Sequence, residues 1–245
     1  MFRPHIKRTS ILVSIALFNI ILVYVAHTSN RFIPDKNYDL KVEASNIMRD
    51  ALLYTNAEFK KSFNNTLSSE LDFFESGLIG VDSIYSAMTT KKGIFESKVA
   101  ATNPDFSALY IDYFSKIDDS LGTSLTNIDT QDTIAVHMTG SYPGANIALL
   151  AACKASNIFP VIISSIGSSS WGANRLNMTW IDMENILYGQ IFNYKSVMVS
   201  LGGDNDTADE LLEDTKFILR KKIKDHGYPL AYNQDLKKSI NIKML

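Results

Sequence analysis

The chain has 245 residues, 46% of them hydrophobic, with 24 Lys and Arg against 26 Asp and Glu and a formal net charge of -2. That is enough chain to bury a substantial core. A charge this close to neutral, with no large basic cluster, excludes nucleic acid as a partner, because phosphate binding needs concentrated Lys and Arg.

The first element is ILVSIALFNIILVYVA, Ile11 to Ala26, uncharged and interrupted only by Ser14 and Asn19. With its neighbours it predicts a span over residues 9–28, about 20 residues and roughly 30 Å of helix, the thickness of a bilayer core. Arg3, Lys7 and Arg8 precede it, which by the positive-inside bias puts residues 1–8 in the cytoplasm and everything after His27 outside. A cleaved signal peptide competes with this reading, but VYVAHTS offers no clean small-x-small site. We therefore expect an uncleaved signal anchor that holds a single-pass protein in the cytoplasmic membrane, its main domain on the periplasmic or extracellular side.

Residues 29–38, polar and broken by Pro34, read as a linker. Leu40, Ile47, Met48, Ala51, Leu52 and Phe59 recur at helical spacing and predict an amphipathic helix from Asp39 to about Phe63. A second helical stretch is expected from Ser69 to about Ser76. The segment from Gly77 to Phe106 is rich in Gly, Ser and Thr and reads as loop with one short helix or strand. NPDF then opens a helix with Phe106, Leu109, Tyr110, Tyr113, Phe114 and Ile117 on a broad apolar face. Together residues 39–130 form a helical, loop-rich region expected to pack on a sheet domain at 131–245.

In that domain TIAVHM, FPVIISS and SVMVSL read as strands, alternating with the helices ANIALLAACKAS and DMENILYGQIF. Cys153, alone in the apolar run LLAACKA, reads as a buried structural thiol; a lone cysteine forms no intrachain disulfide. TADELLEDTKFILRKKIKDHG reads as a further helix, with Thr207 and Glu210 as a capping box and Gly227 and Pro229 at its end. PLAYN offers a last short strand. This alternation is the signature of βαβ units. The expected fold class is α/β, a Rossmann-like or flavodoxin-like three-layer domain with a mostly parallel sheet, preceded by the transmembrane helix and a helical region. The strands are apolar throughout, as strands covered on both faces should be.

Ligands of open α/β sheets bind beyond the carboxyl ends of the strands. Three loops fall there: TGSYPG, Thr139 to Gly144; IGSSSWGAN, Ile166 to Asn174; and GGDND, Gly202 to Asp206. If the strands are neighbours, these loops converge. The candidate ligand-binding residues are Thr139, Gly140, Ser141, Tyr142, Gly144, Ser168, Ser169, Ser170, Trp171, Asn174 and Asp204.

Each loop also has a plainer reading. Gly140 and Gly144 serve a tight turn, Pro143 starts a helix, the serines cap the next helix, and Trp171 fills the core. GSYPG is not the G-x-S-x-G nucleophile elbow, and neither G-x-G-x-x-G nor G-x-x-x-x-G-K-[ST] occurs. Ser141 and His137 are the catalytic candidates, with a serine of the second loop as an alternative nucleophile. His5, His27 and His226 lie too far along the chain to build a metal cluster with His137, so no metal or cofactor is expected.

The stretch AVHMTGSYPGANIALLAACKASNIFPVIISSIGSSSWGANRLNMTWIDME resembles the poly-gamma-glutamate system protein family, as do TTKKGIFESKVAATNPDFSALYIDYF and LGGDNDTADELL. After WGAN the sequence departs from that pattern, with RLNM in place of a more acidic Asp/Pro stretch. The resemblance implies a membrane-anchored accessory component of poly-gamma-glutamate capsule or polymer biosynthesis and export. Its implied partners are the polymer and the membrane subunits of the synthase, beside the lipid bilayer at residues 9–28. It carries over no catalytic residues. The alternative is a hydrolase or transferase acting on gamma-glutamyl linkages through a strand-end serine.

Overall fold

The computed structural model describes residues 9–29, 35–63, 78–129 and 131–244. The helix expected at Ser69–Ser76 lies outside the described residues. The chain divides into a unit over residues 1–38 and a compact unit over residues 39–245.

The first unit holds helix α1, Thr9–Ser29. Its stretch Thr9–Thr28 is long and apolar enough to cross a membrane. The polar side chains within it bond back onto the helix: Ser14 Oγ to the Ser10 carbonyl at 3.0 Å, Asn19 Nδ2 to that of Ile15 at 2.9 Å, and Thr28 Oγ1 to that of Tyr24 at 2.9 Å. Such bonds let polar residues sit in a medium that offers no water.

In the second unit, helix α2 (Tyr38–Phe63) buries Ala44, Met48, Ala51, Thr55 and Phe59, one face at spacings of three and four. A short strand β1 (Thr89–Lys91) and helix α3 (Phe95–Ala100) follow. Helix α4 (Phe106–Leu121) ends at Gly122, whose φ of 69° is the left-handed stop that glycine adopts freely. Strand β2 (Thr133–Thr139) leads through Pro143 at the first position of helix α5 (Pro143–Ala155) to strand β3 (Phe159–Ser165).

The Gly/Ser/Trp segment carries three two-residue strands, β4 (Ser168–Ser169), β5 (Asn174–Arg175) and β6 (Met178–Thr179). Helix α6 (Trp180–Leu187) opens on a capping box between Thr179 and Asp182. Strand β7 (Met198–Ser200) and helices α7 (Glu213–Asp225) and α8 (Leu236–Met244) complete the unit.

The main sheet has the order β2-β3-β7, all parallel, with His137 beside Ile163 and Ile163 beside Met198. Strand β1 pairs in parallel with β4, and β5 pairs antiparallel with β6. The fold is thus mixed helix and sheet, with mostly parallel strands. Met138, Ile162 and Val199 of the sheet share one core with Met48, Ala51 and Phe59 of α2 and with Ile147 and Leu150 of α5. Ile111 and Phe114 of α4 pack on Ala152, Cys153 and Ala155 of α5. Burial pushes the Cys153 thiol up to about 12, so it is an inert core group.

Four expectations are corrected. The strands are not covered on both faces, for Ala135 and His137 of β2 and Phe159 and Val161 of β3 face solvent. The capping box at Thr207 and Glu210 does not form: Asp206 and Ala208 take φ of 64° and 52°, which stops a helix there, and α7 begins only at Glu213. The Glu210 carboxylate instead accepts the Asp204 backbone N–H at 2.8 Å. The helix DMENILYGQIF stops at Leu187, ahead of Gly189 at φ 74°. PLAYN contributes a single bridge, Leu230 to Val199, rather than a strand.

Candidate functional site

Because β2, β3 and β7 are parallel neighbours, the loops after them emerge at one end of the sheet. There they meet the segment from β1 to α3 around a cavity of about 430 Å³. Its lining includes Thr139, Ser141 and Tyr142 from the first loop, Gly167 and Ser169 from the second, and Gly203 and Asp204 from the third. Thr90, Lys91, Lys92, Gly93, Ile94 and Lys98 supply the remaining side.

Close approach of the first two loops depends on Gly172. A Cβ there would stand 2.4 Å from Ser168 Oγ, 2.6 Å from the Ser141 carbonyl oxygen and 2.8 Å from that of Gly140. No side chain fits. The Ala173 N–H donates to the Gly140 carbonyl at 2.7 Å, and Ser168 Oγ donates to the same oxygen at 3.0 Å. The Ser169 N–H donates to Ser141 Oγ at 3.0 Å, so the two loops hold each other through backbone and hydroxyl alike.

Lys98 is the centre of the site. Its ammonium donates to Ser169 Oγ at 2.9 Å and to the Ser141 carbonyl at 2.5 Å, and it lies 3.4 Å from the centre of the Tyr142 ring. Burial lowers its pKa to about 8, and among the described residues no carboxylate offsets the loss of water. The residue as a whole is 3% exposed, an unusual depth for a lysine. At the rim Lys91 pairs with Asp204 at 2.7 Å between exposed side chains, and that contact raises the Lys91 ammonium.

Several sequence candidates hold the frame instead of lining the cavity. Asn174, fully buried, accepts the Val81 N–H at 2.9 Å and donates to the Val81 carbonyl at 2.8 Å and to Thr89 Oγ1 at 2.9 Å. It therefore fixes the approach to β1. Ser170 Oγ accepts the Gly93 N–H at 3.2 Å and anchors the turn between β1 and α3. Trp171, at a left-handed φ of 65°, sets its ring edge-on to Phe95 at 5.0 Å and so braces α3, which carries Lys98. Gly144 permits the Ala101 carbonyl to approach, since a Cβ would stand 2.5 Å from it. Gly140 and Ser168 pack between the loops as described.

His137 is not part of this cavity. It is exposed on β2, and no hydrogen bond joins it to a loop serine. Partial desolvation of its ring and the nearby Lys243 charge lower its pKa, against the pull of Asp206. Among the described residues, no group of three or more His, Cys, Asp or Glu side chains is placed to hold a metal ion.

The lining residues missed from sequence are Thr90, Lys91, Lys92, Gly93, Ile94 and above all Lys98. The only hint was a lysine pair beside Gly93 in a segment of mixed composition. Comparison with family models, with characterised proteins and with solved structures found no match.

Proposed function

We propose that this chain is a membrane-anchored accessory component of poly-gamma-glutamate synthesis or export, and that its folded domain holds a segment of the polymer in the Lys98 cavity. The observation that carries this reading is the local charge. Lys91, Lys92 and Lys98 line the cavity against the single carboxylate of Asp204, in a chain whose formal net charge is -2. A neutral-to-acidic protein gives a polyanion no long-range attraction, so recognition must be built locally, and these lysines with the Thr139, Ser141 and Ser169 hydroxyls supply it. Lys98 suits a carboxylate because it has none of its own among the described residues.

The α1 helix supports placement at a membrane, with the cytoplasmic membrane and an outward-facing domain as the proposed topology. The parallel order β2-β3-β7 with α5 as a crossover supports a small Rossmann-like or flavodoxin-like relationship for the sheet. Docking of synthase membrane subunits belongs to the same proposal. Deleting the gene in a polymer-producing host should reduce surface or secreted polymer. Unchanged amount and chain length would contradict this function.

A further inference from the structure

We propose that Ser169 and Lys98 form a nucleophile and general-base pair that attacks a carbonyl of the bound chain, which makes the site an acyl-transfer centre. The substrate, a gamma-linked amide, rests on the polymer reading above; the chemistry rests on the site alone. Four observations select this pair.

The Lys98 nitrogen and Ser169 Oγ are 2.9 Å apart, within direct proton-transfer reach. Both line the cavity, so a carbonyl can reach the hydroxyl. Lys98 has its other bond to the Ser141 carbonyl, an acceptor only. When the amine is neutral, one N–H still donates there, and its lone pair is left aimed at the Ser169 hydroxyl proton. Finally, the competing serine is differently engaged: Ser141 Oγ accepts the Ser169 N–H, and Lys98 touches the carbonyl of Ser141 and not its hydroxyl. Burial without a carboxylate partner is the means by which a lysine becomes a base near neutral pH, and Lys98 is brought to about 8.

Ser169 Oγ adds to the amide carbonyl carbon while its proton passes to the neutral Lys98 nitrogen. Collapse of the tetrahedral adduct breaks the C–N bond, and Lys98 returns that proton to the departing amine. An ester on Ser169 remains. Water then adds while Lys98 takes its proton, and as the C–O bond to Ser169 breaks Lys98 passes that proton to the departing Ser169 Oγ, which releases a carboxylic acid and restores the hydroxyl and the neutral amine; an amine in place of water gives transfer.

The test treats the full-length protein in detergent micelles with a fluorophosphonate serine probe and maps the adduct by mass spectrometry. We expect the adduct on Ser169, formed faster as the pH rises through about 8, and slowed at least about 100-fold in Lys98→Arg, which stays charged. Lys98→Met, matched in length but without the amine, should show the same loss, and thermal unfolding of both variants checks the fold. The adduct site in the native chain needs no variant. No adduct on Ser169, an adduct elsewhere, or undiminished labelling of folded Lys98→Arg and Lys98→Met overturns the pair. Labelling of Ser169 that short gamma-glutamyl oligomers fail to compete would leave the pair standing and refute the polymer.

Discussion

The Lys98 ammonium sits 3.4 Å from the centre of the Tyr142 ring, so an aromatic face takes the place a carboxylate would hold around a buried lysine. A ring face favours the charged amine, by about 0.5–2 kcal/mol once the pair is removed from water.

Tyr142→Leu removes that support and lowers the pKa of Lys98 further. The pH at which an amine-directed acylating reagent begins to modify Lys98 should fall by about 0.4 to 1.4, since one pH unit corresponds to about 1.4 kcal/mol. Tyr142→Phe keeps the ring and gives up only the bond to Ser97 Oγ, so its profile should match the native one. Peptide-resolved labelling against pH measures both.

Asn174→Ala should destabilise the folded domain by about 2–4 kcal/mol, because it removes three bonds at a fully buried side chain and leaves the Val81 N–H without a partner, while the Val81 carbonyl keeps only the Trp171 N–H at 3.0 Å. The denaturant midpoint reads this loss. The buried frame around Gly80 also accounts for a steric prediction: a Cβ on Gly80 would stand 2.0 Å from Asn174 Oδ1, so Gly80→Ala should disturb the same joint.

The α/β unit was legible where the chain is locally consistent. Apolar β-branched runs marked β2 and β3, and Pro143 followed by an alanine-rich stretch marked α5. The end of the sheet that carries the loops followed from strand–helix alternation. The start of α7 misled because Thr207 and Glu210 have capping-box spacing, while the positive φ of Asp206 and Ala208 is dictated by the turn that brings Ala208 N–H to the Gly202 carbonyl at 2.7 Å. Lys98 was illegible for a different reason. It reaches Ser169 across 71 positions, from a short helix with no periodic signal, and only tertiary packing through Trp171 and Phe95 puts it there.

Asp206 makes stability depend on acid. Burial pushes its carboxyl up, but hydrogen bonds from Lys243, Ser239 and Ser200, with the Lys243 charge, outweigh that and hold it below the ordinary 3.8. The unfolded chain therefore takes up this proton first as pH falls. The stabilisation is complete above the ordinary value and disappears as pH drops from there through the lower folded value. Asp206→Asn should lower stability at neutral pH and flatten the acid limb below about pH 4, as seen in unfolding free energy against pH. A limb as steep as the native one would assign the acid sensitivity to other carboxylates.

The most direct measurement is calorimetric titration of the full-length protein in detergent micelles with short poly-gamma-glutamate oligomers, native beside Lys98→Met. Saturable one-site binding is expected in the native protein. It should weaken about 10- to 100-fold in the variant, the loss of one charge-assisted bond of about 1.5–3 kcal/mol. No saturable binding, or equal affinity in a folded Lys98→Met, would contradict the claim that the Lys98 cavity holds the polymer.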